Sequence, residues 1–195
     1  MADTGGRLSD DAKVVRVGVT GHRDLDEEVE LALEVTEVLN RIKKMAASRS
    51  GSPPVLEVIS PIAEGADRLV VREVLKDPTA KLRVPLPLPK EQYREDFKKA
   101  ESIAEFEDLL AKAVEVIEMP PAATREEGYK QAGLYVLENC DVLIALWDGE
   151  PSRGQGGTAE IVEMARKSGK PLFWIHTKEL RVITVTPESL QGDDL

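Results

Sequence analysis

Hydrophobic positions along this chain recur with two periods that take turns. "VVRVGVT" (Val14–Thr20) is a β-branched run stopped by Gly21 and reads as a strand. In the next segment Leu31, Val35, Val38, Ile42 and Met45 recur at steps of four and three, which marks one face of an amphipathic helix. Asp24 followed by Glu27 has capping-box spacing, Arg41, Lys43 and Lys44 suit a helix C-terminus, and "SRSGSPP" breaks the pattern. "VLEVIS" (Val55–Ser60) predicts a second strand, and "GADRLVVREVLKD" a second helix that stops before Pro78. "KLRVPLPLP" alternates like a strand, but its prolines donate no ladder hydrogen bonds, so a short strand to about Leu86 and an extended exit are expected. The charged stretch from Lys90 to Ala113 predicts two helical pieces, and "VEVIEM" (Val114–Met119) a strand ended by Pro120 and Pro121.

Thr124 and Glu127 repeat the capping-box spacing. Behind them Tyr129, Ala132, Gly133, Val136, Leu137 and Cys140 share one helical face, which makes Cys140 a small core residue rather than a reactive thiol. "DVLIALW" (Asp141–Trp147) is almost wholly apolar, as a strand covered on both faces must be. A helix is predicted from about Thr158 to Lys167, with Gly169 as its C-terminal cap and Pro171 as its stop. "PLFWIHT" and "RVITVT" read as a sixth and a seventh strand. Strands spaced by helices mean βαβ units. The expected fold is therefore α/β: a single doubly wound domain over 14–185 with a mostly parallel sheet of six to seven strands and helices on both faces. Residues 1–13 and 186–195 read as a polar and an acidic tail.

Composition narrows the partners. The 195 residues suit one domain, with 42 % apolar and 32 % charged residues as in soluble globular proteins. No apolar run approaches the roughly 18 residues that span a bilayer, and the first residues lack the apolar core of a secretory signal. One cysteine allows no internal disulfide, which fits a reducing compartment, and a cytoplasmic location is expected. The formal charge of −10 disfavours nucleic acid as a partner while leaving room for a local basic pocket.

In doubly wound sheets ligands sit beyond the carboxyl ends of the strands. Four loops lie there. "TGHRD" brings Gly21 for a tight turn and His22 and Arg23 as side chains that either contact an anion or stay solvated. "SPIAEGADR" brings Glu64, Gly65, Asp67 and Arg68, either a helix cap with a surface ion pair or a polar wall around a ribose or base. "PLPLPKEQYREDF" is a stiff connector in which Tyr93 or Phe97 packs on a ring and Arg94 reaches an anion, or else a surface helix. Past Asp148, Gly154, Gly156 and Gly157 precede the helix at Thr158, where unpaired N–H groups and the dipole favour negative charge. Glu160 in its first turn suits a ribose hydroxyl or acid–base work. There is no P-loop spacing, and neither HExxH nor CxxC, so no metal site is expected.

Taken together, "VGVTGHRDL", "ISPIAEGADRLV", "LPLPKEQYREDF" and "CDVLIALWDG…GQGGTAEIVEMAR" resemble the SLOG superfamily over about Val14 to Thr177. That Rossmann-like group includes LOG phosphoribohydrolases, DprA-type proteins, molybdenum-cofactor carriers and sensing domains of some TRPM channels. The similarity is to a bacterial branch bearing TGHR and GGT. It implies a nucleotide or nucleotide-derived ligand, with the phosphate at Gly154, Gly156, Gly157 and Thr158 and Gly21, His22 and Arg23 beside it. Glu64, Asp67 and Glu160 would orient sugar hydroxyls. No further cofactor is implied, and relatives often self-associate, so a homo-oligomer is expected. The LOG motif P-G-G-x-G-T-x-x-E is not met: no proline precedes Gly156, Glu160 follows Thr158 by two residues, and position 161 is Ile. A sensor or carrier is thus the leading expectation. A LOG-like phosphoribohydrolase using Glu160 and Arg23 comes second, and a DprA-like DNA-handling protein third.

Overall fold

The computed structural model describes residues 13–151 and 157–185. In chain order it forms β1 (Val14–Gly21), α1 (Glu28–Ser50), β2 (Val55–Ile59), α2 (Ala66–Val74), β3 (Lys81–Leu86), α3 (Lys90–Arg94), α4 (Ala100–Lys112), β4 (Glu115–Glu118), α5 (Arg125–Asn139), β5 (Val142–Trp147), α6 (Thr158–Lys167), β6 (Leu172–His176) and β7 (Arg181–Val185). The seven strands make one sheet in the order β4-β3-β2-β1-β5-β6-β7. All neighbours run parallel except β6 and β7. The fold is a Rossmann-like α/β domain. From β1 the chain winds outward to β4, then returns through α5 to lay β5 on the other side of β1. The strand order therefore reverses between β1 and β5.

The apolar run of β5 is explained by its position. Val142, Ile144 and Leu146 face a core shared with α1 and α2, while Leu143 and Ala145 face a second core shared with α5 and α6. On that second face β1 carries Gly18. A Cβ there would lie 2.8 Å from Cys140 Sγ and 2.9 Å from Val136 Cγ1, so glycine lets α5 seat directly on the strand. Cys140 is 3 % exposed and its thiol is pushed up to about 11 by burial, in keeping with a core residue. Pro85 fits inside β3 because its missing N–H faces β2, which has already ended at Ile59. The flanking residues pair outward, Leu86 O accepting from Met119 N at 2.9 Å.

Two local expectations fail. Asp24 and Glu27 form no capping box: α1 begins at Glu28, and Glu27 is left-handed at φ 54 with no side-chain cap. At the other end Met45 is 45 % exposed and Ala46 fills the core position instead, so the buried face runs Leu31, Val35, Val38, Leu39, Ile42, Ala46. The second pattern caps its helix, with the reciprocal bond shifted by one residue. Thr124 Oγ1 accepts from Glu127 N at 3.2 Å, and Glu127 Oε2 accepts from Ala123 N at 2.9 Å. Among the described residues no helix is long and apolar enough to cross a membrane. The two predicted tails lie outside the described residues, apart from Lys13.

Candidate functional site

A cleft of about 610 Å³ opens at the carboxyl ends of β1 and β5, where the strand order reverses. That volume is in the range of small-molecule sites. Its walls come from loops at the strand ends and from helices beside them. The β1 loop supplies Gly21, His22, Arg23 and Asp24; the β2–α2 loop supplies Pro61, Ala63 and Asp67; α3 supplies Tyr93; α5 supplies Tyr129, Ala132, Gly133 and Val136. From the β5 side come Trp147, Asp148, Glu150 and the start of α6 with Gly157 and Thr158. Among the described residues no side chain caps the N-terminus of α6. Its first N–H groups carry the positive end of the helix dipole toward the cleft. Gly154 and Gly156 lie outside the described residues.

The β2–α2 loop is strained, and the strain aims Asp67. Ile62, β-branched and fully buried, sits at φ 52, and Gly65 at φ 75. A Cβ on Gly65 would lie 2.2 Å from Arg23 O, so only glycine lets this loop lie against the β1 loop, where Ala66 N donates to His22 O at 3.0 Å. Ser60 Oγ donates to Asp67 Oδ2 at 2.9 Å and Ala63 N donates to it at 3.2 Å. Asp67 is only 5 % exposed, and burial pushes its carboxyl up to about 6 against those hydrogen bonds and the charges of Arg23 and Arg68.

Arg68 does not reach the cleft. It is 2 % exposed and clamps the strained loop: Nε donates to Ile62 O at 3.1 Å, Nη1 to Ser102 O and Oγ at 2.9 Å, and its plane lies over Phe97 at 4.5 Å. Its charge is met by Glu105 at 3.1 Å. Glu64 also turns away and accepts from Ser102 Oγ. Gly65 is a hinge of packing rather than a cleft wall. Glu160 is engaged by Lys130 Nζ at 2.5 Å and does not line the cleft. Arg94 pairs with Glu107 at 3.4 Å, and Phe97 is buried against Tyr93 and Phe106.

The structure does bring together His22, Arg23, Asp67, Asp148, Gly157 and Thr158, all predicted. His22 Nε2 and Asp148 Oδ1 are 2.9 Å apart, and Lys178 Nζ reaches Asp148 Oδ2 at 3.0 Å. Burial works to raise the Asp148 carboxyl, but His22, Lys178 and the Glu150 N–H outweigh it and hold it well below the usual range. Arg23 lies over the Tyr129 ring at 5.1 Å with Asp96 Oδ2 at 3.8 Å, while the Tyr129 hydroxyl donates to Asp96. The guanidinium is thus oriented on the cleft wall, with 42 % of the side chain still exposed.

Tyr129 and Trp147 belong to the site although the periodicity assigns one to a core face and the other to a strand end. Each carries a polar atom that bonds at the rim of the cleft, Tyr129 to Asp96 and Trp147 Nε1 to Glu150 O at 2.9 Å. Among the described residues no group of three His, Cys, Asp or Glu could hold a metal ion. No family model and no curated protein matches the chain.

Proposed function

We propose that this protein binds a nucleotide or nucleotide-derived ligand in the cleft and acts as a sensor or carrier, in the manner of the SLOG superfamily that its motifs resemble. The observation that carries the reading is the convergence, at the reversal of strand order, of the α6 N-terminus with Gly157 and Thr158 and the oriented Arg23 of the TGHR loop. Both favour an anion, and the cleft around them has room for the rest of a nucleotide. A phosphate would rest on the start of α6, with Arg23 as its counter-charge. The Trp147 and Tyr129 rings line the same cleft and offer apolar surface to a base. The phosphoribohydrolase alternative gains no support, because Glu160 is engaged by Lys130 outside the cleft lining.

The test is a thermal-shift screen with mono- and dinucleotides, cyclic nucleotides and ADP-ribose. A ligand at a hundredfold over its Kd stabilises by about 2.7 kcal/mol, a shift of several degrees. Calorimetry on Arg23→Ala should then show affinity weakened by about 1.5–3 kcal/mol with an unchanged circular dichroism spectrum. Equal affinity in that variant, or no stabilisation by any nucleotide, would overturn the reading.

A further inference from the structure

Asp67 joins the packing of its own loop to the lining of the cleft. Its two oxygens have different surroundings. Oδ2 accepts from Ser60 Oγ and from Ala63 N, while Oδ1 has no partner among the described residues. Nor is Oδ1 among the buried atoms sealed off without a partner, so it opens on the cleft that Asp67 lines. The Tyr93 hydroxyl likewise has no hydrogen-bond partner among the described residues: the residue is 1 % exposed, lines the cleft and packs its ring on Phe97, Phe106 and Tyr129. A strained loop clamped by Arg68 holds the Asp67 Oδ1 oxygen at the cleft, where solvent reaches it and a ligand's donor can replace the solvent. That oxygen is therefore accessible to a donor from outside the chain.

We propose that Asp67 is the specificity-determining residue of the cleft, its Oδ1 accepting a hydrogen bond from a hydroxyl or amino group of the bound molecule, with the Tyr93 hydroxyl beside it. This rests on the ligand-binding reading above and adds what the ligand must carry. Asp67 follows β2 and α6 follows β5, on opposite sides of β1, so Asp67 and the helix start lie at least two strand spacings apart, roughly 10 Å or more. The molecule thus carries an anion at one end and an O–H or N–H donor at the other. A simple anion meets only the first half of the site.

Binding of a donor also favours the ionised carboxylate, so affinity should rise with pH through about 6. The groups facing Asp67 are Arg23 after β1, Arg68 on α2 and Tyr93 on α3, with His22 on the same cleft wall. The contribution of Asp67 is therefore read as the difference from Asp67→Asn, which keeps the acceptor for Ser60 and Ala63 and turns an amide N–H₂ to the cleft.

The experiment is calorimetry on wild type and D67N between pH 5 and 8. Its probes are AMP, 2′,3′-dideoxy-AMP without sugar hydroxyls, purine riboside 5′-monophosphate without the amino group, ribose 5-phosphate and inorganic phosphate. The expected result is a roughly tenfold to hundredfold loss for AMP in D67N, with the pH dependence lost as well. One of the two AMP analogues should bind wild type as weakly as AMP binds D67N and lose nothing further in the variant, which identifies the donor. Nucleotide binding that D67N leaves unchanged, or an affinity that falls as pH rises in wild type alone, overturns this inference and spares the nucleotide reading. Binding confined to ribose 5-phosphate and lost in D67N keeps this inference and ends that reading. No binding by any probe ends both.

Discussion

Substituting Asp67 by Asn should change how stability depends on pH even with no ligand present. The carboxyl is raised from 3.8 to about 6 in the folded chain, chiefly by burial, and returns to its ordinary value on unfolding. Well below pH 3.8 it is protonated in both states and contributes nothing. Between roughly pH 4 and 6 the unfolded chain ionises while the folded one resists, so the wild type progressively loses stability. Above the folded value both states are ionised and the deficit is constant. A rise of about two pKa units at ~1.4 kcal/mol each sets that deficit at about 3 kcal/mol. Asn resembles the protonated acid in shape and in keeping one acceptor for Ser60 Oγ and Ala63 N, so the variant lacks the loss. Urea unfolding of both proteins at half-unit steps from pH 4 to 8 reads this directly, because titration of every other group cancels in the difference. D67N should gain roughly 2–2.5 kcal/mol on the wild type between pH 4 and 7 and almost nothing thereafter. A flat difference, or a gain by the wild type as pH rises, would refute the claim that this carboxyl is buried at a cost.

Other substitutions separate shape from chemistry. Gly65→Ala should cost well over 2 kcal/mol in urea unfolding, because φ 75 is compounded by contact with Arg23 O, whereas Gly51→Ala, at φ 76 with nothing within 4 Å, should cost about 1–2 kcal/mol. Similar costs at the two sites would mean the β1 and β2–α2 loops do not lie in contact. Cys140, 3 % exposed with its thiol raised to about 11, should resist iodoacetamide at pH 8 until the chain is unfolded. Rapid modification of the native protein would contradict the seating of α5 on Gly18.

Most of the fold was legible because its signals are local. An unbroken apolar run for β5, Thr124 with Glu127 at the start of α5, and Gly169 past the end of α6 each state their element without help from elsewhere. The exceptions are places where tertiary contact overrode propensity. Asp24 and Glu27 offer a capping box, but Asp24 is drawn to the cleft wall with the rest of the β1 loop, and α1 starts one residue after Glu27. From Ile42 the next buried position falls at step three or step four with similar sequence support, and only packing chooses Ala46 over Met45.

The site divides along the same line. That ligand groups lie in the loops after β1, β2 and β5 follows from topology alone, and His22, Arg23, Asp67, Asp148, Gly157 and Thr158 do meet there. Which charged residue within one loop faces the ligand does not follow from topology. In "SPIAEGADR" three ionisable side chains stand within five residues, and their fates are set by backbone angles at Ile62 and Gly65 and by partners far along the chain. Ser102 and Glu105 on α4 take Glu64 and Arg68 inward, and that removes them from the cleft while fixing the loop that holds Asp67 at its floor. The residue that could pass for a simple helix-start acid is thus the one left with an open oxygen, and the arginine that looks like an anion ligand is what keeps it there.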